Sequence, residues 1–189
     1  MRIIAGVAKG CVLSSVATST RPTSDRAREG LFSSLASEFG EFAGVNFLDL
    51  FGGSGAIGLE ALSRGATNVH IVERDPEAIR TIERNFELVK KCSPVGKFQL
   101  YPMAAQRFIT TVPTEKYHIV YIDPPYEITN VEVEDVIMKL HRGEFLHESA
   151  MIALERRALG SEFNWPDGFN AARERKYGAA RIYYGNYSP

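Results

Sequence analysis

The residues in this chain best suited to chemistry are Asp123-Pro124-Pro125-Tyr126. They follow a short apolar run, Tyr117 to Ile122, that reads as a buried strand. Two successive prolines stiffen the turn and remove two backbone donors, which leaves its carbonyls free to accept hydrogen bonds. A carboxylate at the strand end and an aromatic ring close by complete an acceptor-rich corner with a flat wall. A planar ring bearing an exocyclic NH2 group fits such a corner. Asp123 and the Pro124 carbonyl would accept its two N–H groups while Tyr126 stacks on its face. The alternative is an ordinary strand end followed by a surface turn, and the four residues alone do not decide between the two.

A second constellation lies earlier in the chain. Val45 to Phe51 reads as a buried strand running into Gly52-Gly53-Ser54-Gly55. Gly53-x-Gly55-x-x-Gly58 matches the dinucleotide fingerprint, and Glu73, twenty residues after Gly53, stands where a ribose-binding acid belongs. The pattern predicts a nucleoside on this loop, with its ribose diol on Glu73. Asp49, four residues before Gly53, would repel a pyrophosphate and favour a ligand with an ammonium group and a cationic centre. S-adenosylmethionine combines adenosine, ammonium and sulfonium in one molecule. There is no Gly-Lys-Ser/Thr for a phosphate-binding P-loop, and Ala56 spoils a Gly-x-Ser-x-Gly elbow. A nicotinamide-dependent oxidoreductase stays open on the glycine match.

The elements that must position these groups alternate. A helix through Ile57, Leu59 and Leu62 ends at Gly65, and a strand Val69 to Val72 ends on Glu73. Asp75-Pro76 caps a helix with Ile79, Ile82, Phe86 and Val89 on one face. Phe98 to Tyr101 is a third strand, followed by a short helix around Gln106 to Ile109. The strand before Asp123 is the fourth; then come a helix through Val133, Val136, Ile137 and Leu140 and a fifth strand, Met151 to Glu155. Ala172 to Tyr177 and Ala180 to Tyr184 read as a closing antiparallel hairpin around Gly178. Strand and helix in alternation imply an α/β fold with a mostly parallel sheet covered on both faces.

Composition bounds the rest. The 189 residues are 44% hydrophobic and carry a net charge of -1, which suits one core and excludes a uniformly basic nucleic-acid binder. Cys11 and Cys92 stand far apart in sequence and His70, His118, His141 and His147 lack ligand spacing, so no metal site and no disulfide framework are expected. No apolar run reaches membrane-spanning length, and a reducing cytoplasm and a monomeric state are the simplest expectations. Arg2 to Gly6 and Cys11 to Leu13 read as two short strands of a hairpin, and Ser14 to Thr20 as a loop or mobile arm. Residues 1 to 30 hold five basic side chains (Arg2, Lys9, Arg21, Arg26, Arg28) against Asp25 and Glu29. Such an arm could grip phosphate, with Arg21 beside the rigid Pro22 the leading candidate, whereas Arg26 and Arg28 read as solvated arginines after a helix cap.

These residues together resemble a known family. Asp49-x-Phe51-x-Gly53-x-Gly55, Glu73 and Asp123-Pro124-Pro125-Tyr126 resemble the class I S-adenosylmethionine-dependent methyltransferases that modify exocyclic amines. Arg2-Ile3-Ile4-Ala5-Gly6, Thr20-Arg21-Pro22-Thr23, Arg28-Glu29-x-Leu31-Phe32 and Glu60 to Ala66 narrow the resemblance to the bacterial 16S ribosomal RNA guanine-N2 methyltransferases, over essentially the whole chain.

The resemblance implies a Rossmann-like, mostly parallel seven-stranded sheet with an antiparallel C-terminal strand and a small N-terminal β-hairpin. It divides the chain into an RNA-contacting segment, 1–22, and a methyltransferase domain, 23–189. It assigns catalysis to Asp123, Pro124 and Tyr126. Cofactor contacts fall to Asp49, Phe51, Gly53, Ser54, Gly55, Glu73, Arg74, Ala104, Ala105 and Asp123, and RNA contacts to Arg2, Lys9, Arg21, Thr23 and Tyr126. The implied substrate is a guanine in small-subunit ribosomal RNA or its assembly intermediate. A DNA adenine methylase shares the Asp-Pro-Pro-Tyr motif, and a non-catalytic assembly factor could keep the fold alone.

Two departures from the family pattern stand out. Gly52 replaces a usual alanine, a change expected to be harmless. Ala104-Ala105 stand where the family offers an aspartate to the adenine amine, so either a backbone group or Gln106 takes that contact or cofactor binding is weaker.

Overall fold

The computed structural model describes residues 1–16 and 25–188. Helix α1 (Asp25–Phe39) precedes an alternating series: β1 (Asn46–Asp49), α2 (Ala56–Ser63), β2 (Asn68–Glu73), α3 (Pro76–Lys90), β3 (Lys97–Pro102), α4 (Ala105–Phe108), β4 (Tyr117–Ile122), α5 (Asn130–Arg142) and β5 (Leu146–Arg157). The hairpin β6 (Phe169–Tyr177) and β7 (Ala180–Tyr187) closes the chain. The seven strands form one sheet in the order β3-β2-β1-β4-β5-β7-β6. Strands β1 to β5 are parallel, and β7 runs antiparallel to both β5 and β6. The α/β reading therefore holds, and β5 and β6 extend well beyond the residues expected for them.

Local chemistry sets the elements. The Asp75 side chain accepts the Glu77 and Ala78 amides, and Pro76 starts α3 with its φ already helical. Phe86 on α3 stacks on Phe98 of β3, with ring centroids 4.1 Å apart. Thr129 and Glu132 form a reciprocal capping box at the start of α5. The strands bury both faces, one under α1, α2 and α3 and the other under α4 and α5. Among the described residues no helix is long and apolar enough to cross a membrane.

The N-terminal segment turns back on itself, but its ladder is one bridge, Arg2 to Val12. The expected strands stop there because their amides are used elsewhere. Ile4 and Ala5 donate to the buried Glu60 carboxylate at 2.7 and 3.0 Å, and Val7 and Ala8 donate to the carbonyl and hydroxyl of Ser63. Ile3, Ala8 and Leu13 share the core of α1 and α2. Ser14 is also fixed: the Asn85 side chain accepts its amide and donates to its carbonyl, at 2.8 and 3.0 Å. Residues 17–20 of the expected mobile arm lie outside the described residues.

Two other expectations change. Arg28 is not solvated but fully buried; it donates to the Arg2 carbonyl and pairs with Asp25 at 2.8 Å. Arg26 is exposed, as expected. Gly52 is a requirement here rather than a neutral change, since a Cβ at that position would lie 2.3 Å from Cγ2 of Ile71.

Removing the Glu60 carboxylate leaves two half-buried amides without an acceptor and Arg64 without its partner 2.8 Å away. Glu60→Ala is expected to lower stability by about 3 kcal/mol. Urea unfolding measures that loss, and hydrogen exchange should show the Ile4 and Ala5 amides losing protection first.

Candidate active site

The sheet order reverses between β1 and β4, and ligands of open α/β sheets bind outside the strand carboxyl ends at such a switch point. A cleft of about 360 Å³ opens there, within the range of small-ligand sites. Its floor is made by Asp49, Tyr121 and Asp123, and one wall by Phe51, Gly53 and Ser54 of the glycine loop. Glu73 and Arg74 follow β2, Met103, Ala105 and Gln106 flank the start of α4, and Pro124 to Ile128 follow β4. Met1, Ser15 and Val16 reach the same cleft, so the N-terminal segment roofs part of it.

Most residues expected at the cofactor site therefore line this cleft. Gly55 lies behind it, at φ 78° in the turn before α2 and packed on Ile82. Ala104 sits just outside as the N-cap of α4, and Ala105 and the exposed Gln106 take the lining position. Arg2 and Lys9 are exposed. Lys9 follows Ala8 in the turn held on Ser63 at the C-terminal end of α2, whereas the cleft lies at its N-terminal end. Arg21 and Thr23 lie outside the described residues.

The glycine loop is tied to β2 through Glu73. One carboxylate oxygen accepts the Gly53 amide at 2.8 Å, and the other accepts the Arg74 and Asp75 amides at 2.7 and 2.8 Å. Asp49 is almost fully buried. Its Oδ2 accepts the Gly58 amide at 3.1 Å, and its Oδ1 is buried with no hydrogen-bond partner among the described residues. Burial pushes the Asp49 carboxyl up to about 7, and the Glu73 charge adds to the rise, while the Gly58 and Phe51 amides oppose it.

Asp123 stands in the same row. Its carboxyl is pushed well above the usual range by burial first, then by the charges of Glu155 and Asp49, with the Arg156 guanidinium opposing them. Glu155 itself is buried and accepts the Tyr121 hydroxyl at 2.6 Å. In the turn after β4, the Pro125 carbonyl accepts the Ile128 amide at 3.0 Å. No described residue donates to the Pro124 carbonyl or the Asp123 carboxylate, and both line the cleft. Asp123 and Pro124 thus bring two acceptors without a described donor to the lining of the cleft, which Tyr126 shares. Over the Tyr126 ring lies the Arg157 guanidinium, 4.0 Å from the centroid.

Sequence reasoning did not single out Glu155, Tyr121, Arg156 or Arg157. A signal was present, because Glu155 ends the expected fifth strand as Asp49 and Glu73 mark the carboxyl ends of the first and second.

The family model described as "Conserved hypothetical protein 95" matches residues 1–186. YlbH of Bacillus subtilis is 34% identical over 158 residues, 82% of each chain. Ribosomal RNA small subunit methyltransferase D of Escherichia coli is 32% identical over 165 residues, 86% of this chain and 78% of that protein. This chain belongs to that family. A solved Escherichia coli structure, yhhF, superposes with a TM-score of 0.84 at 29% identity, covering 100% of this chain and 98% of that one.

Family and fold make the chain a methyltransferase, and its cleft fits S-adenosylmethionine. The orphaned Asp49 Oδ1 and the crowd of carboxylates suit the cationic methionine portion. Glu73, Ala105 and Gln106 line the same cleft and are the residues available to its adenosine portion.

Asp49 binds an ammonium group best as the carboxylate. Cofactor affinity is therefore expected to fall as pH drops from about 7.5 to about 6, across the value near 7. Titration calorimetry of wild type and Asp49→Asn checks this, the variant showing weaker, flatter binding. The free protein carries the opposite dependence: the folded state binds the Asp49 proton more tightly than the unfolded chain, so this group's stabilisation is lost as pH rises from about 4 to about 7. Glu73→Ala is expected to weaken cofactor binding by about ten- to a hundredfold; unchanged affinity would remove Glu73 from the site.

Proposed function

We propose that this protein transfers a methyl group from S-adenosylmethionine to the exocyclic N2 amine of a guanine in small-subunit ribosomal RNA, within an assembled or partly assembled particle. The observation that carries the reading is the pair of free acceptors, the Asp123 carboxylate and Pro124 carbonyl, beside the Tyr126 ring. A primary aromatic amine has two N–H groups to give and one face to stack. The relatives named ribosomal RNA small subunit methyltransferase D support ribosomal RNA as the substrate.

The amine of guanine is a poor nucleophile because its lone pair is conjugated into the ring. Bound S-adenosylmethionine supplies a methyl group made electrophilic by a sulfonium. The protein's part is alignment. Asp123 and the Pro124 carbonyl hold both N–H groups, which turns the nitrogen lone pair towards the cofactor side of the cleft. Productive alignment brings reacting atoms to about 3–3.5 Å. Stacking on Tyr126 contributes about 1–3 kcal/mol towards holding a base that has left its own stack. The new N–C bond replaces the methyl carbon–sulfur bond, whose electron pair stays on the departing neutral thioether; the nitrogen becomes acidic and its surplus proton passes to Asp123 or to water. Burial and the neighbouring Glu155 raise the proton affinity of Asp123, which suits that step. Residues 17–24 are proposed to extend the RNA contacts through Arg21 and Thr23.

A DNA adenine methylase would use the same two acceptors.

Labelled S-adenosylmethionine, offered with unmodified small subunits, naked ribosomal RNA and duplex DNA, tests the reading. Label is expected in the particle, and Asp123→Ala should reduce it by roughly 10³-fold while calorimetric cofactor binding largely survives. Collapse of cofactor binding in that variant would make Asp123 mainly structural, and label in DNA would favour the adenine reading.

A further inference from the structure

Two successive arginines end β5, one on each face of the sheet. Neighbouring residues of a strand point to opposite faces. Leu154 belongs to the core under α4 and α5, against which Ile128 packs, and Ala153 belongs with Tyr121 to the core under α1, α2 and α3. Arg156 therefore shares the first face and Arg157 the second. Each meets the loop that follows Asp123. Arg156 donates to the Ile128 carbonyl at 2.7 Å. Arg157 places its guanidinium 4.0 Å from the centroid of the Tyr126 ring.

The contact with Tyr126 bears directly on the site. Tyr126 follows two prolines and is only half-buried. Among the described residues its hydroxyl has no hydrogen-bond partner and no other aromatic ring lies on it. The bond from the Ile128 amide to the Pro125 carbonyl shapes the loop backbone but does not reach the ring. Arg157 is thus the described side chain that sets the ring plane. Its own backbone is fixed: it pairs with Ala180 of β7, and its carbonyl accepts the Gly160 amide at 3.2 Å. Among the described residues no ion pair or hydrogen bond draws the guanidinium elsewhere. Tyr126 lines the cleft and Arg157 does not, so the guanidinium sits on the side of the ring turned from the cleft. A guanidinium is attracted to the negative face of a tyrosine ring and stacks on it as a flat group.

We propose that Arg157 is a positioning residue for methyl transfer, bracing one face of Tyr126 so that the other is already set to stack on the target base. This rests on the reading that a planar base bearing an amine is the substrate. A ring held in place before the base arrives has less freedom to lose on stacking, which lowers the cost of ordering the two together.

A double-mutant cycle and a spectroscopic readout test this together. Arg157→Gln is expected to lower kcat/KM for small ribosomal subunits about two- to fivefold, with cofactor affinity and Tm unchanged. In a Tyr126→Ala background the same substitution should have no further effect, because the two side chains act as a unit. Arg157→Lys, which keeps a cation, should recover part of the loss. In protein labelled at its tyrosine rings, the Tyr126 signal is assigned by its disappearance in Tyr126→Phe. That signal should shift in Arg157→Gln before any RNA is added. An equal loss of kcat/KM in the Tyr126→Ala background would make Arg157 an independent RNA contact and overturn the proposal. An unmoved Tyr126 signal, or an unchanged kcat/KM in Arg157→Gln, would overturn it too. If the Tyr126 signal shifts but wild type methylates no RNA, the contact stands and the function proposed above is what fails.

Discussion

The crowding of four carboxylates, two of them buried and two half-buried, at one edge of a parallel sheet is the constraint on which the site depends. Glu73, Asp49, Asp123 and Glu155 belong to or directly follow four adjacent strands, β2, β1, β4 and β5. The register of Asp49 with Ile71 and Tyr121, and of Tyr121 with Ala153, sets the other three acids one pleat further along the same face. Burial first, and neighbouring negative charge after it, raises the cost of ionising Asp49 and Asp123. Glu73 and Glu155 are held by hydrogen bonds within the protein, whereas Asp49 Oδ1 and Asp123 are left for what enters the cleft. A cation answers the first and an amine the second. The same row disfavours a pyrophosphate and suits a cationic methyl donor and, on the proposed reading, a base that offers N–H groups.

The surrounding structure serves to keep that row in place. The Gly52 turn fits only because no Cβ meets Ile71, and the buried Asn85 of α3 links Ser14 to the Ser54 carbonyl of the glycine loop. Glu60 and Ser63 fasten the N-terminal turn to α2, which brings Met1, Ser15 and Val16 over the cofactor side. Stability and site formation are coupled here through short-range hydrogen bonds, so the N-terminal segment is part of the catalytic domain's core as well as its neighbour in sequence.

Much of this was legible in the sequence because it is local. Asp49, Glu73 and Asp123 declare themselves by ending apolar runs, and Asp75-Pro76 and Gly65 punctuate their helices as written. What escaped is what depends on distant partners. Arg28 has the look of a solvated cap arginine until α1 is seen to pack it against Arg2. The N-terminal strands shortened because Glu60, more than fifty residues away, claimed their amides. Arg157 meets Tyr126 only once β5 is laid beside β4, a pairing that the intervening α5 does not announce. Ala104 shows the limit on the other side: its place after β3 is legible, but its position as the N-cap of α4, with Ala105 at the cleft wall, is a matter of backbone geometry.

The central claim is that the Asp123–Pro124 corner presents an exocyclic guanine amine for methylation. Its most direct test is the chemical identity of the product: small-subunit RNA recovered after reaction, digested to nucleosides and resolved by mass spectrometry. The account predicts N2-methylguanosine as the single new nucleoside, absent when Asp123 is replaced by alanine. A methyl group on N6 of adenine, on a ring carbon or on a ribose oxygen would contradict it.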